Sequence, residues 1–182
     1  MELLFATGNQ GKLGEAQEML ESLGHTVRQV EFSHRELRSD SLEEIARDSA
    51  EAAWLACGQP VFVEDSGLFI DSLNGFPGTF SAWVLEKIGT DGILRLMGDR
   101  DNRRAVFRTC IAFHDGKGVH TFSGECRGRI SREQRGGGGF GYDPVFVPEG
   151  HEQTFAESIT LKNKLSHRYK TLLDFSRYLQ GK

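Results

Sequence analysis

Cysteine is scarce in this chain of 182 residues: only Cys57, Cys110 and Cys126, widely spaced and without a CxxC pair. An odd number without metal-ligand spacing suggests neither a disulfide framework nor a zinc site, so reduced, mostly buried thiols are expected. A basic surplus is missing too, since 22 Lys and Arg face 26 Asp and Glu for a formal net charge of -4. Duplex nucleic acid needs clustered positive charge, so no nucleic-acid partner is expected, while a small anion in a local basic pocket stays open. No run is long and apolar enough to span a bilayer, which argues against a membrane partner. The first residues enter an apolar run without a basic leader or small-residue cleavage site, so the expected location is cytoplasmic. There is no internal repeat.

What is present is the composition of a globular protein, 38% hydrophobic, 26% charged and 10% aromatic, with 13 Phe. That length and balance fit one domain over residues 1–182. Residues 2–6 read as a strand, Leu13, Ala16, Met19, Leu20 and Leu23 recur at helical spacing up to Gly24, and 26–32 reads as a second strand. Ser41 and Glu44 form a capping box that opens a helix through residue 56, and 60–64 is a third strand. Asp65-Ser66-Gly67 is expected to turn before a short apolar run over 68–70. Helical patterns resume over 79–87 and 91–97, and a hairpin over 104–127 turns at Asp115-Gly116-Lys117-Gly118. An apolar stripe of Leu165, Tyr169, Leu172, Leu173, Phe175 and Leu179 marks a last helix with its Lys, His and Arg off the stripe. The βαβα opening with a later hairpin predicts an α/β fold on a mixed sheet.

Four stretches carry candidate chemistry. The first, Phe5 to Glu15, reads FATGNQGKLGE and fails as a P-loop, because Ala6 stands where the first glycine is needed and Leu13 where a magnesium-binding hydroxyl is needed. A glycine-permitted turn at a helix N-terminus, with the Asn9 amide and the Lys12 ammonium as extra donors, still has the ingredients of a phosphate grip. A plain strand-to-helix connection with a solvated lysine fits this stretch equally well. In the second, VFVEDSGLFID, Glu64 and Asp65 follow an apolar strand, and in an open α/β sheet ligands bind beyond strand ends. Such carboxylates suit magnesium, which takes a few of them and completes its shell with water and phosphate oxygens, with Glu36 as a further candidate; a solvated acidic turn is the plain alternative.

The third stretch, GGGGFGYDPVF, offers a ring for stacking and a carboxylate for a base, or else a glycine turn whose aromatics fall into the core. In the fourth, LKNKLSHRYKTLL, Lys162, Asn163, Lys164, Ser166, His167 and Arg168 crowd the start of the last helix. A solvated basic face is the ordinary reading. The sharper one is that Arg168, which only donates, suits the O6 carbonyl of a 6-oxopurine better than the amino group of adenine.

Taken in order, these segments resemble the inosine triphosphate pyrophosphatase family, also called Ham1-like, over nearly the whole chain. The matching motifs are Thr7-Gly8-Asn9-x-x-Lys12 with Glu15, Glu64-Asp65-Ser66-Gly67-Leu68, Leu73-Asn74-Gly75-x-Pro77-Gly78, Phe140-Gly141-Tyr142-Asp143-Pro144, Phe155-Ala156-Glu157 and Lys162-Asn163-x-x-Ser166-His167-Arg168. The resemblance implies an elongated α/β fold with a central mixed sheet flanked by helices, a deep nucleotide-binding cleft between two lobes, and a homodimer. It implies a Mg2+-dependent hydrolase that converts the purine nucleoside triphosphates ITP, dITP and XTP to monophosphate and pyrophosphate, clearing deaminated purines before polymerases incorporate them. By this likeness Thr7, Gly8, Asn9, Gln10, Gly11 and Lys12 grip the triphosphate. Asp65 is the proton acceptor and a metal ligand, Glu36 the second metal carboxylate, and Ser66 a substrate contact. Phe140, Gly141, Tyr142, Asp143, Lys162, His167 and Arg168 line the nucleotide site.

Overall fold

The fold, taken from a computed structural model, describes residues 2–181. In chain order the strands are β1 (Glu2–Ala6), β2 (Thr26–Val30), β3 (Val61–Ile70), β4 (Pro77–Gly78), β5 (Arg104–His114), β6 (Val119–Ile130) and β7 (Phe146–Pro148). The helices are α1 (Gln10–Ser22), α2 (Leu42–Cys57), α3 (Ser81–Met97), α4 (Ile159–Leu165) and α5 (His167–Gln180). The sheet runs β2-β1-β3-β5-β6-β7, with β4 on β3. It is mixed, as expected: β1 is parallel to β2 and β3, while β3–β4 and β6–β7 are antiparallel.

The chain divides into two compact units. One comprises the described residues through Asp65, Thr109–Gly124 and those from Arg168 onward; the other comprises Ser66–Arg108 and Glu125–His167. In the first, strand alternation sorts the core onto two faces. Leu3 and Phe5 of β1, Phe62 of β3 and Ile111 and Phe113 of β5 meet Leu13, Ala16 and Leu20 of α1 and Leu172, Phe175 and Leu179 of α5. The intervening residues Leu4, Ala6, Val61, Val63, Cys110 and Ala112 meet Ala46, Ala50 and Ala53 of α2. Alanines on α2 let that helix lie close to the sheet, whereas the other face is filled by phenylalanine, with Phe5 stacked on Phe62 at 4.3 Å. The second unit has its own core of Leu68, Ile70, Val84, Ile93, Met97, Phe107, Phe146 and Phe155 among others.

Local chemistry sets the element ends. Ser41 caps α2, its Oγ accepting from the Glu44 N–H at 3.3 Å, but the Glu44 carboxylate accepts from Ser39 Oγ at 2.6 Å and Ser39 Oγ in turn accepts from Ser41 N–H at 3.0 Å. The capping box is thus closed through an inserted serine. Gly58 ends α2 in the left-handed region at φ 65°. The two helical patterns over 79–97 join into α3, whose path breaks at Gly89 with φ 63° and ψ -174°.

Two expectations are corrected. Asp65-Ser66-Gly67 does not turn, because β3 runs unbroken through it. Gly67 has no left-handed φ; it is needed for close approach, since a Cβ there would lie 2.2 Å from the carbonyl oxygen of Gly78. The bond from Ser81 Oγ to that same oxygen, 2.7 Å, and the one it accepts from Leu68 N–H, 2.8 Å, hold β4 and the start of α3 against β3. Of the two readings of the basic cluster, the solvated face fits Lys164, which is exposed, but not Lys162, His167 and Arg168, which are buried. The single helix expected there is two, parted at Ser166, and Arg168 extends the buried stripe of α5 at helical spacing to Leu172.

Candidate functional site

In the first unit, β1 delivers the chain to the N-terminus of α1 at Thr7-Gly8-Asn9. Thr7 Oγ1 accepts from the Asn9 N–H at 3.1 Å, and Asn9, the N-cap, accepts from the Lys12 N–H at 3.0 Å. These two bonds shape the turn; Gly8 has no left-handed φ, and a Cβ on it would meet nothing within 4 Å. The glycine is therefore not demanded by the turn. It leaves bare main chain facing open space at the positive end of a helix, the environment an anionic group favours. Gln10 and Thr7 are tied to β2 through Gln29, which donates to Thr7 O at 2.7 Å and accepts from Gln10 at 3.3 Å. Gly11 lies in the first turn of α1.

Lys12 turns back to β3. Its ammonium donates to Glu64 O at 2.9 Å and lies 3.6 Å from Glu64 Oε1. Arg168 approaches the same carboxylate from α5, Nε to Oε2 at 2.5 Å and Nη2 to Oε1 at 3.1 Å, while its Nη1 binds Glu15 at 2.6 Å. Two cations and two carboxylates thus close a neutral cluster with the Arg168 and Glu64 side chains only 3% and 2% exposed. Burial alone would weaken the Arg168 charge, but Glu64 and Glu15 outweigh it and hold the guanidinium above the ordinary arginine range. Thr109 on β5 adds a neutral donor, Oγ1 to Glu64 Oε1 at 2.8 Å and to Asp65 O at 2.9 Å.

Alternation along β3 sets Glu64 with Phe62, on the α1 and α5 side, and Asp65 with Val63, on the α2 side. The carboxylate of Asp65 is felt there by Cys110: burial, with Glu43 and Asp65 adding to it against a hydrogen bond from Ser123, pushes that thiol up to about 11. Glu36 is exposed in the segment between β2 and α2. No group of three or more His, Cys, Asp or Glu among the described residues is arranged to hold a metal. Two oxygen-donor carboxylates of this kind suit a hard cation that keeps most of its shell for water and phosphate.

The second unit holds the remaining expected residues except Arg168. Lys162, 3% exposed at its side chain, donates to Asp143 Oδ2 at 2.5 Å and lies 4.1 Å over the Phe140 ring, a cation–π contact. Asp143 Oδ2 also accepts the Phe140 N–H at 2.8 Å, so one carboxylate ties the loop to the lysine. Gly139, at φ 69°, permits this, since a Cβ there would lie 2.1 Å from that oxygen. Tyr142 takes the core alternative: its ring joins the buried cluster, its hydroxyl donates to Ser81 O at 2.7 Å, and burial raises its pKa. Its neighbour Gly141, at φ 68°, has open space at its Cβ position. His167 lies flat on Phe107, ring centres 4.6 Å apart and planes 12° from parallel. Ser66 is half-buried on β3.

Sequence reasoning missed Thr109 and Phe107. Both sit in VFRTCIAF, where a threonine within a buried apolar run was the available signal.

The family model described as "Ham1 family" matches residues 3–178. A dITP/XTP pyrophosphatase from Methanopyrus kandleri is 51% identical over 184 residues, covering 100% of this chain and 97% of the relative. One from Thermococcus kodakarensis is 46% identical over 183 residues, covering 99% and 98%. Among solved structures, a HAM1 protein from Coxiella burnetii superposes with a TM-score of 0.85 at 31% identity over 100% of both chains. The motif order read from the sequence and these full-length similarities agree: this chain belongs to the Ham1 family.

Proposed function

We propose that this chain is a nucleoside triphosphate pyrophosphatase that hydrolyses dITP, ITP and XTP to the monophosphate and pyrophosphate. Membership of the Ham1 family supports the reading, as do relatives that are dITP/XTP pyrophosphatases along their full length. The observation that carries it to residues is the tie from Lys12, at the exposed N-terminus of α1, to Glu64, the neighbour of Asp65.

Thr7 to Lys12 take the triphosphate: main-chain N–H groups of the first helical turn point at the anion, and Lys12 adds a cation. The Lys12 ammonium has three donors and one hydrogen bond among the described residues, which leaves it capacity for phosphate oxygens. Asp65 accepts the proton of the water that attacks the α-phosphorus, and Ser66 contacts the substrate. Glu36 and Asp65 would hold Mg2+, which when bound offsets phosphate charge and so favours in-line displacement. Lys162 and the Phe140-Gly141-Tyr142-Asp143 segment serve the nucleotide; with the Tyr142 side chain committed to the core, that residue acts through its main chain. His167, held flat by Phe107, and Arg168, whose charge is already matched by two carboxylates, act as oriented donors toward a purine O6 rather than as net charge. A homodimer in the cytoplasm is the assembly and location this reading carries.

The test is a turnover assay with Mg2+ on dITP, ITP, XTP, GTP and ATP, with all phosphate products separated. IMP and pyrophosphate from ITP, with ATP nearly untouched, is the expected result. Diphosphate with orthophosphate would refute α-phosphate attack, and saturable ITP binding without any product would make the chain a binding module.

A further inference from the structure

Thr109 takes part in none of the roles assigned above, although it is 1% exposed and its hydroxyl lies within hydrogen-bond distance of two acceptors. One acceptor is the Glu64 carboxylate at 2.8 Å, the other the main-chain oxygen of Asp65 at 2.9 Å. A hydroxyl has one proton, so the two oxygens share it, and the contact joins a side chain and a main-chain atom on either side of one peptide plane. Lys12, which also holds Glu64, is a cation assigned above to the triphosphate, so its hold on the strand changes when phosphate charge arrives. Thr109 is neutral, and its hold on β3 does not weaken when phosphate charge arrives.

We propose that Thr109 is a positioning residue for Asp65: by anchoring the Glu64 carboxylate and the Asp65 carbonyl at a single hydroxyl, it fixes the main chain from which the Asp65 carboxylate projects. The proposal rests on the reading of Asp65 as proton acceptor. A base displaced by a fraction of an ångström loses its alignment with the attacking water while the nucleotide still binds, so the effect belongs in kcat rather than KM. Serine keeps the donor and drops the methyl group; valine keeps the shape and drops the donor.

The experiment compares Thr109→Val and Thr109→Ser with the parent in steady-state turnover of dITP, in thermal unfolding, and in calorimetric titration of the nucleotide-free protein with Mg2+. T109V is expected to lose about tenfold or more in kcat, with KM within about twofold, and to bind Mg2+ more weakly. T109S is expected to restore kcat to within about threefold of the parent and to bind Mg2+ as the parent does. If T109V unfolds, Thr109→Ala against T109S makes the same comparison without added bulk. Unchanged kcat in the hydroxyl-less variant, or a serine variant as impaired as that variant, would overturn the proposal. A merely structural threonine would lower the unfolding temperature and leave kcat and Mg2+ affinity alone. Failure of the underlying reading is separately visible, as an active Asp65→Asn protein.

Discussion

Arg168 and Glu64, 104 positions apart in sequence, form an ion pair from which water is excluded, with Nε 2.5 Å from Oε2 and Nη2 3.1 Å from Oε1. The pair ties the first turn of α5 to the strand position beside Asp65, and Glu15 adds α1 to the same knot. Removing one member of a buried pair costs more than the pair contributes, because its partner keeps its desolvation penalty. Arg168→Ala should therefore lower unfolding free energy by about 3–5 kcal/mol, measured by urea denaturation. Arg168→Lys should recover little of it, since a point charge cannot reproduce the two-pronged contact. A loss below about 1 kcal/mol would mean the pair behaves as a solvated one.

Gly67 and Gly8, neither of which has a left-handed φ, should respond oppositely to a methyl group. At Gly67 the added carbon would lie 2.2 Å from Gly78 O, a main-chain atom that cannot swing aside. Gly67→Ala should cost roughly 1–3 kcal/mol or more in stability, read as a drop in melting temperature. Gly8→Ala meets nothing within 4 Å and should leave melting within a degree or two of the parent, while weakening nucleotide binding if phosphate occupies that space. Unchanged affinity in a calorimetric titration would remove Gly8 from the phosphate grip.

Asp65→Asn keeps the shape of the side chain but exchanges one acceptor oxygen for a donating amide and cannot take up a proton. Turnover should fall by about 10²–10⁴-fold, the usual contribution of a general base, while ITP still binds by calorimetry. Activity near that of the parent would strip Asp65 of its assigned role.

Cys110 should resist modification at a pH where Cys57, half-exposed at the end of α2, reacts. Thiolate is the reactive species, and burial lifts the Cys110 thiol to about 11. Iodoacetamide at pH 8 followed by mass spectrometry of the intact and digested protein should find adducts at Cys57 and none at Cys110. The same shift has a stability consequence of defined sign. The folded state holds this proton more tightly than an unfolded chain, whose thiol titrates near 8.5, so the contribution is complete below that pH and is lost as pH rises toward 11. Equal labelling of both thiols at pH 8 would contradict the burial of Cys110.

Much of the frame was legible because its signals are local. β1 begins and ends where the apolar run does, β5 fills the first arm of the hairpin pattern up to its turn, and α2 starts after the serine read as its cap. The break of α3 at Gly89 follows from a residue type with its own backbone preference. Gly67 has a non-local cause: in its local sequence it fits a turn, and its reason lies eleven positions on, at the Gly78 carbonyl. Burial of a charge is non-local in the same way. Nothing within LKNKLSHRYK distinguishes a solvated cluster from Lys162 on Asp143 and Arg168 on Glu64, because the compensating carboxylates lie elsewhere in the chain.

By itself the sequence determined the α/β element order, the capped N-terminus of α2, and the ordered motifs that mark the Ham1 family, since periodicity, caps and motifs are written in neighbouring residues. Only the tertiary structure decided which charges cancel, that Tyr142 joins the core while Lys162 covers Phe140, and that Thr109 holds Glu64 and Asp65 together. Pairing, burial and desolvation depend on what the fold brings from far along the chain, and no local pattern encodes that.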